Sequence, residues 1–380
     1  MFDSLPVWAL FVVFVLGAVA VWQAGTQLSN STDKLDDRFG WGDAFGGLIL
    51  LAVATNLPEI AITVTASIAG NFDIATGNLL GGVAIQTAVL ALLDAFGLHD
   101  KPPLSGRINT LIPVLEAVFV IAILILAIMG TQLSGSLIFV RVAPSSLIIF
   151  ATWLLGLWLL NKARRGLPWQ VKAEQNGDSQ PNGKDDKQND KDTNKQSNKD
   201  SDKQNGKDAD NSKDKGQSQD KQSGIGKTLA IFVVAAVVTL IGGFVLEESG
   251  NALAQQFNLN QVFFGATFLA AATALPELST GLASLKLKDY QLAVSDIFGG
   301  NAFLLVLFLV ADLVSGKAVL SQAKNSDIYL SGLGILLTTV YIYGLVFRPR
   351  RQFLGMGLDS VAVVVLYVLG IVGLLAIPNK

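Results

Sequence analysis

The sequence predicts an all-α membrane protein of about ten transmembrane helices, arranged as two inverted five-helix repeats, and three observations lead there. The 380 residues are 51% hydrophobic even though one internal block is almost wholly polar. The apolar residues fall in runs long enough to span a bilayer, five before that block and five after it. A short motif, Ala-Thr-x-Leu-Pro-Glu, occurs once in each half, at 54–59 and again at 272–277.

The runs lie near 5–23, 44–68, 75–96, 108–129 and 136–160, then 225–246, 261–284, 289–314, 327–347 and 357–377. Each is close to the about 20 residues that a spanning helix needs. Ahead of the first run, Met1-Phe2-Asp3-Ser4 carries no positive charge, so this run is read as a retained helix and not as a cleaved leader. The repeats are assigned to 1–162 and 225–380, with a polar linker over 163–224. From about Val171 to Ser223 the linker is nearly all Asp, Lys, Asn, Gln, Ser and Gly, a composition that cannot bury a core and is expected to stay disordered. Two fragments at its end imitate known motifs. Gly226-Lys227-Thr228 ends like a phosphate loop, but Lys221 stands where that loop needs Gly. Asp208-Ala209-Asp210 begins like a calcium loop without the Gly and Glu that complete one.

Orientation follows from basic residues, which favour the cytoplasmic side. With the N-terminus outside, the cytoplasmic segments hold Lys34, Arg38, Lys101, Arg107, Lys162, Arg164, Arg165, Lys227, Lys286, Lys288, Arg348, Arg350 and Arg351. The outer segments hold only Arg141, Lys317, Lys324 and Lys380. The linker is therefore expected in the cytoplasm, and the protein in the plasma membrane as a multi-pass chain. Five helices is an odd number, so the second half enters the membrane from the opposite side. Inverted repeats with a site near the midplane are a transporter architecture.

The repeat is regular. An offset of 218 residues carries Glu59 onto Glu277, Asn78 onto Asp296, Gly81-Gly82 onto Gly299-Gly300 and Asp94 onto Asp312. In each motif the proline donates no hydrogen bond and displaces the carbonyl four residues back, that of Ala54 or Ala272. Carbonyls freed at membrane depth need a partner inside the protein, and a cation is one. Thr55 and Thr273 share a helix face with the glutamates and can add hydroxyl oxygens. Carboxylates, carbonyls and hydroxyls together suit a hard cation such as calcium. A carboxylate at the bilayer centre costs about 2.5–3.5 kcal/mol even on the lenient insertion scale, so two at matching positions call for a function. The structural alternative is a pair of protonated glutamates hydrogen-bonded across the symmetry axis. Such a pair can also carry protons in transport.

The following helix of each half carries Gly77-Asn78-Leu79-Leu80-Gly81-Gly82 or Ser295-Asp296-Ile297-Phe298-Gly299-Gly300-Asn301. The glycines suit close helix packing, while Asn78, Asp296 and Asn301 are costly in lipid. Asp296 is taken as a secondary site residue. Asp94 and Asp312 lie near helix ends, where capping explains them as well as function does, and Glu116 and Asp359 have no symmetric partner. These four stay outside the core site. Cysteine is absent, which excludes disulfides and thiolate-bound metals, and the lone His99 sits beside Asp100 and Lys101 as a solvated residue.

At these residues the chain resembles the calcium/cation antiporter superfamily, which includes the sodium/calcium exchangers. That family's repeats read Gly-Thr-Ser-x-Pro-Glu, then Gly-Asn/Asp-x-x-Gly-Ser-Asn-x-x-Asn/Asp. Residues 54–59 and 272–277 match the first element well, and 77–86 and 295–304 match the second in part. The resemblance implies a ten-helix alternating-access antiporter in which Glu59 and Glu277 are the central ligands. It implies Thr55, Thr273 and the carbonyls of Ala52 and Ala270 as supporting ligands. Departures are concentrated at neutral ligands: the family serine after Thr is Asn56 or Ala274, that of the second element is Gly82 or Gly300, and its closing Asn/Asp is Gln86 or Leu304. Asn56, Gln86 and Asn78 join the candidate set.

The expected function is calcium export in exchange for sodium or protons, with sodium/proton exchange as the alternative. An intramembrane hydrolase using paired acids is more remote, since neither acid has a Gly-x-Gly-Asp context, a nucleophile or a His nearby. So is a non-transporting scaffold. The chain is expected to be no enzyme, to hold no cofactor, to act as a monomer, and to take small cations and not nucleic acid as partners.

Overall fold

The computed structural model describes residues 2, 5–39, 53–98, 102–136, 138, 140–164, 213–349, 351–353 and 355–378. It divides into a membrane unit, residues 1–171 with 227–380, and a second unit, 172–226. The disorder expected over 163–224 concerns residues that lie, apart from 163, 164 and the start of one helix, outside those described. Both copies of the motif belong to the membrane unit.

In the first half, α1 (Val7–Phe39) is followed by a helical turn at 53–55 and by α2 (Leu57–Ala69), α3 (Phe72–Gly97), the short α4 (Leu104–Arg107), α5 (Ile112–Thr131) and α6 (Pro144–Arg164). The second half opens with α7 (Lys213–Gln256) and continues with α8 (Gln261–Phe264), a π turn (Gly265–Leu269), α9 (Ala270–Thr273), α10 (Leu275–Lys286) and α11 (Tyr290–Ser315). It ends with α12 (Asn325–Phe347), a two-residue hairpin of β1 (Gln352–Phe353) and β2 (Met356–Gly357), and α13 (Leu358–Leu375). Every apolar run read from the sequence carries a helix, although the run at 44–68 is described only from residue 53. Among the described residues seven helices are individually long and apolar enough to cross a bilayer, or eight if the bent α8–α10 segment is one span. α2 and α13 are shorter apolar helices. α1 and α7 run well past the ends expected for them, to Phe39 and Gln256.

The halves are built alike. α3 and α11 are the central pair, with 78% and 72% of their apolar windows buried. α1 and α7 are the peripheral pair, at 22% and 28%. Trp8, Phe11 and Leu16 on α1, like Val234 and Ile241 on α7, point outward as a lipid-facing surface does. One continuous core joins the halves, with Leu80 and Val83 of α3 packed in the same cluster as Phe298 and Leu304 of α11 and Tyr341 of α12.

Two buried aspartates tie the repeats together. Asp94, near the end of α3, accepts from Leu104 N at 2.8 Å within its own repeat. It also accepts from Gly357 N and Ser360 Oγ at the start of α13, both at 2.7 Å. Asp312, near the end of α11, accepts from Val319 N at 2.9 Å in its own repeat. It then accepts from Ala143 N at 3.0 Å and Ser146 Oγ at 2.7 Å at the start of α6. Each repeat thus caps the last helix of the other. Capping is what an isolated helix N-terminus requires, and a carboxylate also complements its dipole.

Candidate cation site

Both motif copies break their helix at the same point. The sequence places each proline within a single apolar run, and in the structure the helix of that run stops and restarts there. Asn56 and Ala274 leave the helical path, and α2 and α10 begin one residue later with Pro58 or Pro276 in the first turn. A missing N–H costs nothing there, because first-turn donors have no intrahelical acceptor anyway. The ladder resumes symmetrically, with Ile60 N bonded to Asn56 O at 3.0 Å and Leu278 N to Ala274 O at 3.1 Å. In the second copy the axis turns by 41° at the break, and the π turn lies just ahead of it. Wide turns of this kind expose carbonyls and recur at functional sites.

The restart places Glu59 and Glu277 in the first turn of α2 and α10, at positive helix ends that a carboxylate complements. They are 1% and 3% exposed, and none of their four carboxylate oxygens makes a hydrogen bond of ordinary geometry. The two carboxylates interact electrostatically with each other, and the Thr273 side chain reaches Glu59 from the opposite repeat. Thr273 Oγ1 also donates to Ala270 O at 3.2 Å, and that carbonyl takes Ala274 N at 3.0 Å. Ala270 O would have to release one of these bonds to face a cation. Thr55 is buried and accepts from Asn56 Nδ2 at 3.3 Å, while Ala52 lies outside the described residues.

The departures from the family pattern meet in space. A Cβ placed on Gly300 would lie 3.5 Å from Asn56 Nδ2 and 3.6 Å from Gln86 Oε1, so two amides gather where the family has a serine. The related Gly82 faces Leu304 Cδ1 instead, at 3.0 Å from a Cβ. One glycine position is therefore flanked by amides and the other by hydrocarbon. Gln86 is 1% exposed and its Oε1 has no hydrogen-bond partner.

Asn78 is fully buried, with neither amide atom hydrogen-bonded, where α3 crosses the π turn at Gly265. Its counterpart Asp296 accepts from Thr280 Oγ1 at 3.2 Å and interacts electrostatically with Glu277. It flanks the pair and belongs to a separate side cavity. Asn301 donates to Thr87 Oγ1 at 3.2 Å, linking α11 to α3. Among the described residues no three acidic, His or Cys side chains converge as a resident metal cage would. The arrangement offers two carboxylates and neutral oxygens to a hard cation. Sequence reasoning missed Thr280 and Thr87, threonines that hydropathy alone does not distinguish from packing residues.

A family model described as sodium/calcium exchanger protein matches residues 9–161 and 227–376. The chain belongs to that family. As an exchanger it is a transporter and not an enzyme, embedded in the membrane and acting on cations. It is 22% identical over 301 residues to inner membrane protein YrbG of Escherichia coli (strain K12), covering 78% of this chain and 77% of that protein. Its fold is that of a crystal structure of the H+/Ca2+ exchanger CAX, at TM-score 0.63 and 13% identity, covering 97% of this chain and 82% of the other. The sodium-calcium exchanger NCX_Mj has the same fold at TM-score 0.54 and 15% identity, covering 97% of this exchanger and 99% of that one.

Proposed function

We propose that this exchanger exports calcium in return for sodium or protons, by alternating access around Glu59 and Glu277. The observation that carries this reading is the pair of buried glutamates at matched helix breaks, whose four oxygens make no hydrogen bond of ordinary geometry. Two ionised carboxylates left buried and unpaired would be strongly destabilising. One divalent cation balances both charges, and the donors around it are oxygens, as calcium prefers. Protons on the same oxygens balance them equally, which makes competition for the glutamates a natural basis for exchange. The amide flank offers Asn56 and Gln86 to a monovalent ion and the hydrocarbon flank offers nothing, so room for sodium is limited to one side. Broken helices meeting at the centre of inverted repeats supply the two-sided access such exchange needs. The basic residues of the odd-numbered connections support a cytoplasmic linker, and the likeness to an inner membrane protein of a bacterium supports the plasma membrane.

The test is calcium uptake into proteoliposomes under an imposed sodium gradient or pH gradient, with Glu277→Gln as the blank. Uptake driven by either gradient and lost in the variant is expected, and the effective gradient names the coupling ion. Sodium-dependent proton flux without calcium movement would overturn the proposal in favour of monovalent exchange.

A further inference from the structure

A side cavity of about 100 Å³ opens between α5, α6 and α11, and Glu116, Ser295, Asp296 and Arg164 supply its polar lining. Glu116 is 5% exposed, its Oε2 makes no hydrogen bond of ordinary geometry, and the Ser295 hydroxyl reaches its carboxylate. Arg164 is the one cation on this wall, against two carboxylates. It touches Glu116 Oε1 through a single nitrogen at 3.4 Å and is 34% exposed. Charge-assisted bonds of good geometry run at about 2.7–2.9 Å and are often bidentate, so this contact is weak and replaceable.

Asp296 links the cavity to the glutamate pair through its charge and its hydrogen bond to Thr280. Asp296 interacts electrostatically with Glu277 on one side and with Glu116 on the other. Thr280, one turn beyond Glu277, lies 3.2 Å from Asp296 Oδ2 and 3.1 Å from Glu277 O and can give its one hydroxyl proton to either. At Gly299 a Cβ would meet nothing within 4 Å, so the glycine keeps this wall open. The offset-related residues of the other repeat differ. The 218-residue offset takes Glu116 to Gly334, Thr280 to Ile62 and Ser295 to Gly77, and Gly77 is closed off by Val262 O at 2.6 Å from a Cβ.

We propose that Glu116 and Asp296, with the hydroxyls of Thr280 and Ser295, form a second and weaker divalent-cation site on the path between the central glutamates and the face where α6 ends. Arg164 fills it when the cation is absent. The proposal rests on the cation-exchange reading above. Two acids with neutral oxygens hold a calcium ion less firmly than a full oxygen cage, which suits a site passed in transit. The arriving cation displaces the guanidinium from Glu116, and its return restores the pair once the ion has moved to Glu277. Because one repeat alone carries the site, it acts on one side of the membrane only.

Terbium luminescence tests this, because Trp153 lines the cavity and can sensitise a lanthanide bound there. In the full-length chain carrying Glu59→Gln and Glu277→Gln, terbium should give tryptophan-sensitised emission that Trp153→Phe removes. Asp296→Asn and Glu116→Gln should each weaken binding roughly tenfold, the order expected for one lost charged ligand. Arg164→Gln should tighten it. The double variant Glu116→Gln/Arg164→Gln should stay weak, whereas a merely structural ion pair would leave terbium binding at its starting level. Absent emission, or emission indifferent to Asp296→Asn and Glu116→Gln, would overturn the second site. In proteoliposomes Asp296→Asn should raise the calcium KM from one side with maximal flux retained. If the unsubstituted protein moves no calcium while terbium still binds as described, the exchange reading fails and the site stands.

Discussion

Gln86 and Leu304 hold the same position in the two repeats, yet one ends in an amide whose oxygen has no hydrogen-bond partner and the other in hydrocarbon. Neighbouring Asn56 and Ala274 differ in the same sense, so the candidate site is symmetric in charge and asymmetric in neutral donors. If the amide flank contributes oxygens to the transported ion, Gln86→Leu should raise the calcium KM by about fivefold to tenfold, as one neutral contact is worth about 1 kcal/mol. Maximal flux should change little, which a concentration series in proteoliposomes would show; an unchanged KM would remove Gln86 from the site. The glutamates are legible in the sequence because an acid after a proline in an apolar run is rare and occurs twice at one offset. Glu116 is not, since the repeat that exposes symmetric residues also discards any residue whose counterpart is a glycine, here Gly334. The meeting of Asn56, Gln86 and Gly300 is hidden too, because three departures scattered over 245 residues become one cluster only after folding.

Helices are where the two repeats, so alike in sequence, part company. Gly81 and Gly299 are equivalent by offset and read from sequence as the same close-packing device. In the structure a Cβ on Gly81 would collide with the backbone of Ala266 in the π turn, whereas one on Gly299 would meet nothing within 4 Å. Gly81→Ala should therefore cost about 1–3 kcal/mol through overpacking, seen as a lower melting temperature in detergent. Gly299→Ala should melt at or slightly above the original temperature, because alanine favours a helix interior by about 1 kcal/mol. Equal melting of the two variants would show that the α3 crossing relaxes. The breaks at Asn56 and Ala274 are legible as proline effects, but their form is not. Proline alone does not say whether a helix bends or restarts, and neighbouring elements decide it here by packing α3 against the π turn.

At the scale of the whole molecule, the question is what makes two repeats one protein. Part of the answer is the reciprocal capping by Asp94 and Asp312, each fully buried and each accepting three hydrogen bonds, two of them from the opposite repeat. The sequence leaves capping open for both aspartates, but does not say that each caps the partner repeat, because that pairing spans more than 160 residues. Replacing either with Ala leaves buried donors unmade at about 1–3 kcal/mol each, and Asn, which can still accept, should be milder. Melting in detergent measures both, and an Asp312→Ala protein as stable as the original would remove the interlock. A stronger consequence concerns the chain itself. The membrane unit comprises 1–171 and 227–380, and its core draws on α3 and α11 together. Covalent continuity between 171 and 227 is then dispensable for assembly, while the presence of the other half is not. A chain cut between those residues and expressed as two polypeptides should assemble and exchange cations, whereas either half alone lacks the caps for its last helix and half of its core. Co-purification of the halves, weakened by Asp94→Ala with Asp312→Ala, checks the claim; stable folding of one half alone would refute it, since the repeats would then be self-sufficient domains.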